Sequence, residues 1–90
     1  MKDKIKELPK WFNGEHYSHG ETVTNPFSGE SYELNGTELS MYDFIKGAEY
    51  VVNQDYSANT EGTRETMKDL IKGLDWFRKY SPKAYMVLLD

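Results

Sequence analysis

A chain of 90 residues holds one domain, since independent domains run from about 50 to 250 residues. Its 38% hydrophobic and 29% charged residues place it in the globular range, away from the composition of disordered chains. The absence of cysteine excludes disulfides, thiolate nucleophiles and every cysteine-based zinc or iron–sulfur site. No apolar run reaches the length of a membrane span. The charged start Met1 to Lys6 is not followed by the apolar stretch of a signal peptide, so neither membrane insertion nor secretion is expected and the cytoplasm is the natural compartment.

In chain order, residues 1–20 place Ile5, Leu8, Trp11 and Phe12 near helical spacing, interrupted by Pro9 and closed by Asn13-Gly14. A short, broken helix is the expectation. Next, the β-capable runs Glu21-Thr-Val-Thr24 and Ser31-Tyr-Glu-Leu34 flank the turn-rich Asn25-Pro-Phe-Ser-Gly-Glu30, which predicts a β-hairpin over 21–34. Pro26 presets the turn and Gly29 can take a positive φ. Phe27 at the tip either folds back onto the core, the usual course for a large apolar residue, or projects as a contact residue.

The second half contains a repeat. Gly36 to Tyr50 and Gly62 to Trp76 share seven identities in fifteen positions at an offset of 26. Two similar helices are expected, over 36–53 and 62–80. Leu39, Tyr42, Ile45, Ala48 and Val52 form the core-facing stripe of the first, and Met67, Leu70, Ile71, Leu74 and Phe77 that of the second. Asn35 with Glu38 has the capping-box spacing, and the Asn59 to Thr63 stretch is rich in capping residues. Gly47 and Gly73 sit inside these helices, where each costs about 1 kcal/mol relative to Ala. Such a repeated cost suggests close approach of the helix backbones, or an aromatic ring lying across the missing side chain. Two copies are too few for a solenoid, so the pattern predicts a pseudo-symmetric helical hairpin whose connection, Gln54 to Gly62, is a polar loop. Ser81-Pro82 reads as an N-cap with proline at the first helical position, opening a short helix over 82–89. The apolar run Tyr85 to Leu89 would also suit a buried strand. The fold class is therefore α+β: a small single domain with an N-terminal β-hairpin packed on a pseudo-repeated two-helix hairpin plus a short C-terminal helix.

The strings Asn25-Pro-Phe-Ser-Gly-Glu30, Met41-Tyr-Asp-Phe-Ile-Lys-Gly47, Asp75-Trp-Phe-Arg78 and Ala84-Tyr-Met-Val-Leu-Leu-Asp90 resemble small proteins encoded by bacteriophages, marine ones among them. The resemblance covers roughly residues 20–90. It implies no activity, only a context: an accessory protein acting in an infected bacterial cytoplasm.

Chemical signatures are sparse. His16 and His19, flanked by Glu15 and Glu21, have the donor types of a divalent-ion site, yet they lie in a glycine-bounded stretch where spacing does not fix geometry. No Gly-x-Ser-x-Gly elbow accompanies Ser28 or Ser31, and no histidine follows His19. Asp43 and Asp69 occupy equivalent repeat positions, which does not make them neighbours. Neither phosphate-binding glycine motif is present. No cofactor, no metal and no enzymatic activity are expected; a metal-assisted or acid–base enzyme using His16 and His19 is the alternative.

Charge is uneven. Residues 21–62 carry Lys46 against eight acids, and the net charge of −4 disfavours nucleic acid, whose affinity needs clustered cations. Lys68, Lys72, Arg78, Lys79 and Lys83 form the one basic stripe that would serve such binding. With two Trp, seven Tyr and four Phe in so short a chain, some aromatics will remain at the surface. The expectation is a non-enzymatic accessory protein binding a host or viral protein through an aromatic and acidic surface, with Trp11, Tyr17, Phe27 and Tyr56 as anchors. A homodimer is expected slightly over a monomer.

Overall fold

In the computed structural model of the protein, residues 8–54 and 61–89 are described. Strands β1 (Glu21–Thr24) and β2 (Ser31–Leu34) are followed by helices α1 (Gly36–Gln54), α2 (Glu61–Tyr80) and α3 (Pro82–Leu88). The hairpin pairs Glu21 with Leu34, Thr22 with Glu33, Val23 with Tyr32 and Thr24 with Ser31 in antiparallel register. Alternation turns Val23, Tyr32 and Leu34 to the core and Thr22, Glu33, Thr24 and Ser31 to solvent. Asn25 N donates to Glu30 O and Gly29 N to Asn25 O, both at 2.8 Å, closing the turn with Gly29 at φ 80°. Glycine suits that position because it carries no Cβ.

Asn35 and Glu38 form the predicted reciprocal cap. Glu38 N donates to Asn35 Oδ1 at 2.8 Å, and Asn35 N donates to Glu38 Oε1 at 2.9 Å. Glu38 has a second function absent from the expectation: its Oε2 accepts the hydroxyl of buried Ser81 at 2.6 Å. One carboxylate thus joins the start of α1 to the α2–α3 junction. Ser81 precedes α3 as expected, but its hydroxyl is spent on Glu38 and caps nothing. Pro82 supplies no N–H, so the chain breaks at Ser81 and restarts as a helix. The C-terminal apolar run is helix, and the strand alternative is overturned. That run is not buried all round: Ala84 and Leu88 enter the core while Met86 is 67% exposed.

The core consists of Phe12, Leu34, Met41, Ile45, Trp76, Phe77, Ala84 and Leu88, so every element from β2 onward contributes to it. Three expectations need correction. The short, broken helix expected over residues 1–20 is absent from 8–20, and residues 1–7 lie outside the described residues. Phe12 N donates to Pro9 O at 3.1 Å, and this turn brings Trp11 and Phe12 to the core, three and four residues on from Leu8, the spacing a helix would give. Within α2, Met67 and Ile71 are 46% and 56% exposed, whereas their repeat partners Met41 and Ile45 are fully buried. Leu70, Leu74 and Phe77 of the expected stripe do pack on the core, joined there by Gly73 and Trp76. The positions of Met41 and Ile45 are thus buried in α1 and exposed in α2, so the sequence repeat is not a repeat of environment. Phe27, finally, does not fold back; it is 96% exposed. The stretch Asn59-Thr60, expected to cap α2, lies outside the described residues.

Candidate binding surface

The four expected anchors occupy different places. Trp11 is half-buried, its ring 5.9 Å from that of Phe44 on α1, with the Lys72 ammonium 5.5 Å from its centroid. Those contacts make it a bridge between α1 and α2 as much as a surface group. Tyr56 lies outside the described residues. Phe27 stands at the hairpin tip, and the turn that carries it is fixed by side chains. Phe27 N donates to Asn25 Oδ1 at 2.8 Å, Glu30 N donates to Ser28 Oγ at 3.1 Å, and Asn25 Nδ2 reaches across to Val87 O on α3 at 2.9 Å. Asn25 therefore shapes the turn and moors it to α3.

Tyr17 belongs to a second feature. Its backbone N donates to Ser40 Oγ at 2.8 Å, and Ser40 in turn donates to Gly36 O at 2.7 Å, so a buried serine clamps the 17–19 segment over the start of α1. The fit is close: a Cβ on Gly36 would fall 2.5 Å from Tyr17 O. The clamp points the Tyr17 hydroxyl at α1, where it donates to Asp43 Oδ2 at 3.0 Å. Tyr17 and Asp43 edge an open groove of about 390 Å³, lined also by Glu21, Thr22, Val23, Thr24, Leu39 and Tyr42. Two tyrosines and two carboxylates face this groove, and none of its lining residues is basic. Sequence reasoning placed Tyr17 on the binding surface but missed Glu21, Tyr42 and Asp43. The prior signal for Glu21 and Asp43 was the acidic composition of residues 21–62, and Tyr42 was assigned to the core-facing stripe; a contact across 26 residues leaves no local trace.

The hydrogen bond to Asp43, aided by slight desolvation and by the charges of Asp43, Glu15 and Glu21, holds the Tyr17 hydroxyl above its ordinary value of 10.0. The unfolded chain loses this proton first as pH rises. Stability attached to Tyr17 is thus complete below about pH 10 and declines as pH climbs through the folded value. Spectrophotometric titration should find one late-ionising phenol that disappears in Tyr17→Phe and shifts down in Asp43→Asn. An unchanged titration in Asp43→Asn would contradict the pairing.

The histidines do not converge. His16 packs edge-on against Phe12 at 5.1 Å, and His19 Nδ1 lies 3.4 Å from Ser18 Oγ. Among the described residues no three His, Asp or Glu side chains are grouped to hold a metal ion. Three basic residues of α2 have neighbours close in the chain: Lys68 pairs with Glu65 at 3.8 Å, Arg78 bonds Asp75 and lies over Tyr85, and Lys79 lies over Tyr80. Among the described residues no helix is long and apolar enough to cross a membrane. Comparison with protein-family models, with curated proteins and with solved structures finds no match.

Proposed function

We propose that this chain is a non-enzymatic accessory protein that binds a larger protein through an aromatic and acidic surface, with Phe27 as the leading contact. The observation that carries the reading is the 96% exposure of Phe27 on a turn held by Asn25, Ser28 and the tie to Val87. An exposed phenylalanine on a loose loop would lose entropy on docking, whereas one on a fixed turn enters a partner's pocket with little further ordering. Met86, also exposed, lies on the helix to which this turn is moored and extends the apolar character of that end. The resemblance to bacteriophage-encoded proteins supports a viral accessory role in the host cytoplasm, with a host or viral protein as partner.

Phe27→Ala is expected to leave stability within about 0.5 kcal/mol of the parent, because the side chain contacts so little of the fold. Retention of the partner should fall about tenfold, the loss of a modest interface hot spot. Thermal melting and quantitative mass spectrometry of proteins retained from host lysate measure the two effects. Equal retention by parent and Phe27→Ala would remove Phe27 from the interface.

A further inference from the structure

The outer edge of β1 and the groove beside it form one continuous surface. Antiparallel pairs alternate between those that exchange backbone hydrogen bonds and those that do not. Because Asn25 N donates to Glu30 O, the register makes Val23–Tyr32 and Glu21–Leu34 bonded pairs, and Thr22–Glu33 and Thr24–Ser31 non-bonded ones. The 2.8 Å approach of Thr24 Oγ1 to Ser31 Oγ fits this phase, since side chains lie closer in non-bonded pairs. The N–H and C=O groups of Thr22 and Thr24 therefore point away from β2. The sheet has two strands, and among the described residues no strand pairs with that edge. Of the devices that blunt an exposed edge, β1 carries shortness, at four residues, and the charge of Glu21, which a basic strand would complement, but no lysine, proline or bulge.

We propose that β1 and the adjoining groove bind an extended basic segment of a partner protein, which adds as a third strand and places alternate Arg or Lys side chains between Tyr17, Tyr42, Glu21 and Asp43. The unpaired edge supplies main-chain hydrogen bonds, as in other strand-addition complexes, and the groove supplies side-chain selectivity. Side chains of an added strand alternate between faces, so every second residue enters the groove. There the carboxylates of Glu21 and Asp43 complement a cation, and the rings of Tyr17 and Tyr42 offer π faces for a guanidinium or ammonium. An acidic segment would meet like charge with no basic residue in the lining to offset it.

This inference rests on the protein-binding reading and names the chemistry of the partner. The test uses the full chain, ¹⁵N-labelled, titrated with a short peptide alternating arginine with threonine and valine. Its controls are the glutamate counterpart and the arginine peptide with N-methylated backbone on alternate residues. The arginine peptide should shift the Thr22 and Thr24 amides most, the glutamate peptide should leave them in place, and N-methylation should weaken binding at least about tenfold. Asp43→Asn should weaken the arginine peptide about threefold to fivefold. Thr22→Pro, which removes an outward N–H while leaving the bonded pairs intact, should abolish the shifts. Equal binding of arginine and glutamate peptides, binding unaffected by N-methylation, no binding at all, or β1 shifts that follow protein concentration alone would each overturn the proposal, the last by assigning the edge to a second copy of the chain. Failure here together with reduced partner retention by Phe27→Ala would remove the groove and leave the protein-binding reading standing.

Discussion

Replacing Phe77 by alanine lowers the unfolding free energy by about 3–5 kcal/mol, the range for deleting a buried phenylalanine ring. Phe77 has no exposed surface, and its ring meets Trp76 edge-on at a centroid distance of 6.0 Å. It belongs to the cluster that unites Leu34 of β2, Met41 and Ile45 of α1, and Ala84 and Leu88 of α3. At roughly 0.05–0.15 kcal/mol per residue, a domain of 90 residues has about 5–13 kcal/mol to lose. The substitution therefore removes about a quarter or more of the total, and the melting temperature should fall by roughly 15–30 °C. The seven-residue α3 cannot stand alone as an isolated helix, so its amides should exchange faster before the rest unfolds. Urea denaturation with an unchanged slope is the direct measurement. A shift below about 1 kcal/mol would mean that Phe77 does not centre the core; Phe27→Ala is the matched control, an equal loss of ring from an exposed site.

The features legible in the sequence were those fixed by neighbours in the chain. Both strands fall where alternation and the Pro26–Gly29 turn put them, and the three helices begin and end within a residue of their expected limits. Asn35 and Glu38 announce a capping box because the motif closes within one turn. What could not be read depends on distant partners. Leu8, Trp11 and Phe12 show helical spacing, yet a single turn at Pro9 produces it. Phe27 has the composition of a core residue, and only the moorings of Asn25 to Val87, 62 positions away, determine that its turn faces outward. The groove escaped for the same reason: Tyr17, Glu21 and Asp43 meet through a serine clamp between segments that share no sequence pattern. On α2 the expected stripe misplaces Met67 and Ile71 because hydrophobic periodicity counts side chains. Glycine contributes nothing to that count, although Gly73 lies on the buried side facing α1.

That silence leads to a prediction of opposite signs at equivalent repeat positions. Gly47 and Gly73 occupy the same place in the two copies, each between Lys and a small or apolar residue. The expected backbone approach or aromatic ring is found at neither glycine, but Gly73 does face a tight contact. A Cβ there would lie 2.8 Å from Ile45 Cγ1 and 3.6 Å from Met41 Sδ, and both neighbours are fully buried. The close contact is an aliphatic side chain of α1, neither a backbone nor an aromatic ring. At Gly47 a Cβ would meet nothing within 4 Å. Gly47→Ala should therefore stabilise the protein by about 1 kcal/mol, the full helix-propensity gain. Gly73→Ala gains the same propensity but forces Ile45, which has no room to retreat, to shift against Met41. Overpacking of this kind costs about 1–3 kcal/mol or more, and at so short a distance the upper part of the range applies, leaving a net loss of about 2 kcal/mol. The two variants should thus differ by about 3 kcal/mol in urea denaturation although they make the same chemical change in the same local sequence. Equal effects would mean that Ile45 yields to the added methyl at no cost, contradicting the tight contact at Gly73. A smaller Gly73→Ala loss in an Ile45→Ala background, which removes Cγ1 itself, would locate the strain at that pair rather than in the helix backbone.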